Sequence, residues 1–186
     1  MGCEKDLLNL ADVPQIAEED VPQIELYMDQ MLTFLNQRLA LLKREQDTPF
    51  ITNTMVNNYT KAKLITPATK KRYQTEHVLN LALVGQLKKV LSIQDLSKIL
   101  TLTQEKHVNS CYELFLETQK NSFQNLEEML ITARKTAENV GFTDNAVVAA
   151  MALQLVTEAH QRTLIAEKLL DLIELPKPEE GRKKNK

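Results

Sequence analysis

The residues best suited to chemistry in this chain lie between positions 53 and 73. On a helix turning 100° per residue, Asn53, Thr54, Asn57, Asn58 and Lys61 share one side, while Met55, Val56, Tyr59 and Ala62 share the other. The polar side is rich in amides and carries one charge. An ordinary solvated helix more often displays Glu and Lys there, whereas an Asn side chain donates and accepts hydrogen bonds in one plane, as the edges of nucleic-acid bases demand. A few residues on, Lys70, Lys71, Arg72 and Tyr73 form a compact basic step suited to phosphate oxygens.

The wider charge pattern agrees with that chemistry. The net charge of −2 is unevenly spread: ten acids stand against four bases in residues 1–50, and seven bases against Glu76 alone in residues 51–90. A local basic field in a slightly acidic protein is what phosphate binding requires, because each Lys or Arg that neutralises a phosphate also releases a condensed counterion. The plain alternative is a solvated face, and charge alone does not separate the two.

Catalysis is the weakest reading. The sequence holds no glycine-rich phosphate loop, no HExxH and no G-x-S-x-G, and His77, His107 and His160 lack local partners. No catalytic residue, cofactor or metal site is assigned. Cys3 and Cys111 belong to no CxxC pair, which points to reduced thiols. His107 and Cys111 stand four apart on a predicted helix as half of a metal site, but without a second pair the better reading is packing. The longest apolar run, residues 146–153, is far short of the roughly 20 needed to cross a bilayer. The start Met1-Gly2-Cys3-Glu4 is similar to an acylation signal, yet Asp6 stands where Ser or Thr is required. The expectation is a cytoplasmic protein with no membrane partner.

Helices must position these residues, since the chain has 4 Gly and 6 Pro and is 43% hydrophobic. The expected fold class is all-α. Residues 1–20 read as a flexible lead-in. Pro22 then opens an amphipathic helix carried by Ile24, Met28, Met31, Leu35, Leu39 and Leu42 to about residue 44, and Pro49 marks a connector. Thr52 caps a helix to about residue 63, ended by Leu64-Ile65-Thr66-Pro67. The basic step makes a short hairpin or wing. A helix over 75–90 is apolar on most faces and central, and Ser92 with Asp95 caps another to about residue 100. A long stretch from Thr103 splits or kinks within 118–122 and ends at Gly141. Thr143 or Asp144 caps a last helix to about residue 174, whose segment 146–156 is apolar all round and is expected to be buried. Residues 176–186 read as a disordered tail.

This order of elements resembles the winged helix-turn-helix of MerR regulators over residues 50–100. More closely, Leu26-Tyr27-Met28-Asp29-Gln30, Met55-Val56-Asn57-Asn58-Tyr59-Thr60-Lys61, Lys71-Arg72-Tyr73 and Leu87-Lys88-Lys89-Val90-Leu91-Ser92-Ile93 resemble an uncharacterised bacterial family, domain of unknown function 1836, over residues 20–165. Asn57 and Asn58 stand where MerR proteins carry Arg and Tyr. Tyr59 keeps the second aromatic of that motif, and Arg72 and Tyr73 match the wing. The glycine expected near Val90 is absent, and no sustained heptad follows Leu100. The resemblance implies a MerR-like DNA-binding domain over 21–102, with its N-terminal helix. A separate helical dimerisation or effector domain is expected over 103–175, because the apolar segment 146–156 needs cover on every side. The expected function is a DNA-binding transcription regulator, homodimeric, with duplex DNA as partner and an unidentified effector as a further one. The alternative is a protein-interaction module that reuses the winged-helix shape without DNA.

Overall fold

A computed structural model describes residues 15–43, 45, 47–104 and 108–174, and every regular element among them is helical. The fold is all-α. The N-terminal lead-in up to residue 14, His107 and the tail from residue 175 lie outside the described residues.

Helix α1 spans Met28–Arg38 and is followed by a 3-10 turn, Ala40–Leu42. It starts six residues later than Pro22 suggested, and the reason is tertiary. Leu26 exchanges two backbone hydrogen bonds with Tyr73, both 2.8 Å, which holds residues 25–27 extended. Tyr27 N–H is then taken by Gln30 Oε1 at 2.9 Å, so the delayed start is itself capped. Helix α2, Asn53–Lys61, begins where expected, with Thr52 Oγ1 accepting from Met55 N–H at 3.2 Å. It ends in a Schellman turn: Lys63, at φ 60°, donates to Thr60 O, and Leu64 N–H donates to Tyr59 O.

Helix α3, Thr75–Leu87, is buried from His77 to Gly85, as an apolar sequence on all faces requires. A Cβ at Gly85 would stand 2.5 Å from Phe50 Cε1, so this position lets the connector before α2 lie directly on α3. Helix α4, Ile93–Gln104, is capped by Ser92 Oγ, which accepts from Asp95 N–H at 3.1 Å. Helices α5, Val108–Gln124, and α6, Leu126–Asn139, divide at Asn125, just beyond the polar interval that the sequence marked. Gly141, at φ 95°, closes α6, and α7 runs over Asp144–Asp171.

One hydrophobic cluster runs from Ile16 to Tyr112. α1 packs on α3, and α5 packs on both α3 and α4. Residues 15–20, read from sequence as part of a flexible lead-in, join this cluster: Ile16 is 1% exposed, and Gln15 Nε2 donates to Leu116 O on α5. α6 and the first half of α7 form a helical hairpin, with Gln154 Nε2 donating to Ala133 O, and the last turn of α7 returns to α4 through Lys98 Nζ and Leu170 O. The apolar segment 146–156 is not buried on every side as expected. Val147 is buried, but Val148, Leu153 and Val156 are exposed, because α6 covers one side of the helix and no other element among the described residues covers these three. Among the described residues no helix is long and apolar enough to cross a membrane.

Candidate nucleic-acid interface

The amphipathic register expected for α2 is the one that folds. Asn53, Thr54, Asn57, Asn58 and Lys61 are exposed, and Val56 and Tyr59 opposite them are buried. Asn57 Nδ2 donates to Asn53 Oδ1 at 3.0 Å, which sets two planar amides side by side on the exposed face. Such paired amides retain further donors and acceptors for an outside partner.

The basic step folds as a two-residue turn. Arg72 N–H donates to Thr69 O at 2.9 Å, and the residues between them, Lys70 at φ 50° and Lys71 at φ 63°, both have left-handed backbone. Turns with positive φ at both central positions favour Asn-Gly, because a Cβ there costs roughly 1–2 kcal/mol per residue. Four non-glycine residues have positive φ among those described, and three of them are Lys63, Lys70 and Lys71. Strain of this kind persists where the surroundings or a function hold it.

Side chains from α1, α2 and the turn converge on two adjoining hollows. Lys71 lines one of about 590 Å³ with Tyr27, Gln30, Asn53 and Tyr73. Lys70 and Arg72 line the other with Ile24, Glu25, Tyr27 and Thr69. Thus Asn53 and Lys71, distant in sequence, share one recess, while Asn58 and Lys61 lie farther along α2 and line neither.

Tyr73 is 8% exposed, its ring packed edge-on against His77 with centroids 5.5 Å apart, and burial raises the pKa of its hydroxyl. Its backbone fixes the turn. His77 Nδ1 accepts from Gln74 N–H at 3.0 Å, so the proton sits on Nε2, which faces Thr66 Oγ1 at 3.2 Å. This imidazole ties the turn after α2 to the start of α3. Lys88 belongs to the opposite side of α2: its Nζ lies 3.6 Å from Met55 Sδ and 5.9 Å from the Tyr59 ring centroid, and burial, then the charge of Lys89, lowers its pKa.

Tyr59 is 5% exposed, with its ring in the core as the helical wheel implied, and burial raises the pKa of its hydroxyl. Tyr59→Phe is expected to hold stability within about 1 kcal/mol, the scale of one hydrogen bond, and Tyr59→Ala to cost roughly 3 kcal/mol through the cavity. Urea denaturation of both variants checks this, and a Tyr59→Ala protein as stable as wild type would contradict the packing.

Sequence reasoning missed Tyr27 and Gln30 on this surface. Tyr27 carries the Arg72 guanidinium 4.0 Å from its ring centroid. No local signal marks it, because its partner arrives from a distant stretch of chain.

A family model described as Domain of unknown function (DUF1836) matches residues 16–130, more than half of the chain. This chain belongs to the DUF1836 family. The match opens on the buried Ile16 and takes in the whole hydrophobic cluster to Tyr112, so the DUF1836 unit is also the physical core unit. The resemblance expected over residues 20–165 is thus matched over 16–130, which leaves α7 outside it. Comparison with curated proteins and with solved structures gives no match.

Proposed function

We propose that this DUF1836 protein is a DNA-binding transcription regulator of MerR-like winged helix-turn-helix type, with α2 in the major groove and the 69–72 turn as the wing on adjoining phosphates. The observation that carries this reading is the run of lysines, Lys63, Lys70 and Lys71, held at positive φ beside an amide-rich helix face. Glycine or asparagine would fold there at lower cost, so the retained cations argue for a partner that needs positive charge at those points. Asn53, Asn57 and Asn58 offer donors and acceptors in the planar pattern that adenine edges match. Lys61, Lys70, Lys71 and Arg72 supply the sequence-independent attraction that sets orientation.

Replacing Lys71 and Arg72 together with Ala is expected to weaken binding to every duplex tested and to flatten the slope of log K against log salt by about two. Fluorescence anisotropy over a salt series measures it. An unchanged slope would remove these residues from the phosphate contacts, and no duplex binding by wild type at any salt would leave the protein-interaction module as the better reading.

The exposed apolar face of α7 supports a homodimer as the acting form. Val148, Leu153 and Val156 lie within about 140° of one another around a rod about 42 Å long, and Leu153 is 68% exposed. A surface of that kind is the mark of an interface, and a second α7 is equally apolar. Leu153→Glu with Val156→Glu is expected to convert a wild-type dimer of 21.2 kDa chains to monomer in analytical ultracentrifugation while leaving each chain folded. A wild-type monomer, or a variant that stays dimeric, would refute it.

A further inference from the structure

We infer that Tyr27 is a positioning residue of the nucleic-acid interface, acting through Arg72, an inference that rests on the DNA-binding reading above. The backbone enforces the pairing. Leu26 and Tyr73 form a two-bond antiparallel pair, so Tyr27 and Arg72 are the next residues outward and stand directly opposite each other. Leu26 and Tyr73 are buried, and the alternation of side chains along extended backbone turns Tyr27 and Arg72 to the other side, where Tyr27 is 48% exposed.

The consequence is a guanidinium seated over the Tyr27 ring. Its central carbon lies 4.0 Å from the ring centroid, within stacking and cation–π range. Arg38 and Arg134 pair with Asp20 and Glu138, whereas among the described residues no carboxylate lies within 4.0 Å of the Arg72 guanidinium. The N–H groups face the surface hollow that Arg72 lines with Lys70, Thr69 and Glu25. A planar donor fork fixed in advance suits the paired oxygens of a phosphodiester, and the ordering entropy of a long side chain is settled before the ligand arrives. The extended segment that leads into α1 thereby joins α2 and the 69–72 turn as a third element of the interface.

The test pairs a double-mutant cycle in duplex-DNA affinity at fixed salt with ¹⁵N relaxation of the Arg72 Nε–H in the DNA-free protein. Tyr27→Phe is expected to bind within about twofold of wild type and to keep the ordered Arg72 signal. Tyr27→Leu is expected to lose that order and about fivefold in affinity, and Tyr27→Leu with Arg72→Ala to bind no more weakly than Arg72→Ala alone. Arg72 order unchanged in Tyr27→Leu, or losses that multiply in the double variant, would overturn the role given to Tyr27. An affinity unchanged by Tyr27→Leu but lowered by Arg72→Ala would overturn it while leaving DNA binding intact. An affinity that Arg72→Ala and Lys71→Ala leave untouched would overturn the DNA-binding reading itself, and the relaxation data would still report whether the stack orders Arg72.

Discussion

Lys70→Asn combined with Lys71→Gly is expected to make the protein more stable and a poorer DNA binder at once. Both lysines have left-handed backbone in the turn closed by Arg72 N–H and Thr69 O. Asn-Gly is the pair such a turn favours: removing the Cβ at Lys71 relieves roughly 1–2 kcal/mol, the short polar Asn side chain tolerates left-handed backbone better than Lys, and the gain is about 1 kcal/mol after the extra unfolded-state freedom of Gly is set against it. For a chain of this length that is a rise in Tm of about 2–4 °C. The same change removes two cations from the proposed phosphate contacts, so the salt slope of duplex binding should flatten by about two. Lys70→Ala with Lys71→Ala separates the effects. It loses the same charges without relieving the backbone, because alanine keeps the Cβ that Gly lacks and has no polar side chain, as Asn has, to favour left-handed backbone, so binding falls as far while Tm does not rise. A stabilised Asn-Gly variant that binds DNA as well as wild type would mean that the lysines serve something else. No stabilisation would mean that neighbouring contacts, not the turn's own sequence, set this backbone.

Asn36→Ala is expected to be the most damaging single change to stability outside the apolar core. Asn36 Oδ1 accepts from Phe50 N–H at 2.6 Å and from Ile51 N–H at 3.3 Å, while its Nδ2 donates to Ile51 O and to Leu32 O, both at 2.8 Å. One amide on α1 thus satisfies the connector that leads into α2, at a point where Phe50 and Ile51 are buried. Truncation leaves the Phe50 N–H and the Ile51 carbonyl without partners, at about 1–3 kcal/mol for each buried group, so a total near 3 kcal/mol is expected. The connector also carries Phe50 onto Gly85 and hands the chain to the Thr52 cap. Asn36→Ala should therefore lower Tm by about 10 °C and loosen the start of α2, visible as faster amide exchange at Met55. Asn36→Asp keeps the acceptor for both N–H groups and should fall between the two. A loss under about 1 kcal/mol in Asn36→Ala would mean that packing of Phe50 alone fixes the connector.

What the sequence determined by itself is local. The Thr52 and Ser92 caps, the Gly141 stop, the two faces of α2 and the all-round apolar character of α3 follow from residues within a turn of each other, and such local features hold whatever the rest of the chain does. The basic character of the 70–72 step was equally legible, because charge is a property of composition. The tertiary structure decided everything that depends on which segments meet. Residues 22–27 have an adequate helical pattern, but the Leu26–Tyr73 pairing overrides it, and that pairing alone brings Tyr27 over Arg72. Asn36 reads as one more polar residue on an amphipathic helix until Phe50 and Ile51 arrive beneath it. Ile16 reads as part of a flexible lead-in until α5 is there to pack against that segment. The segment 146–156 carries the same lesson in reverse: apolar periodicity states that a surface needs cover, and only the packing of α6 against one side reveals how much of it the described residues leave bare. Short-range hydrogen bonds and periodicity are encoded in neighbouring residues, whereas long-range pairing is chosen by the competition of all segments for the same core, which no window of sequence contains.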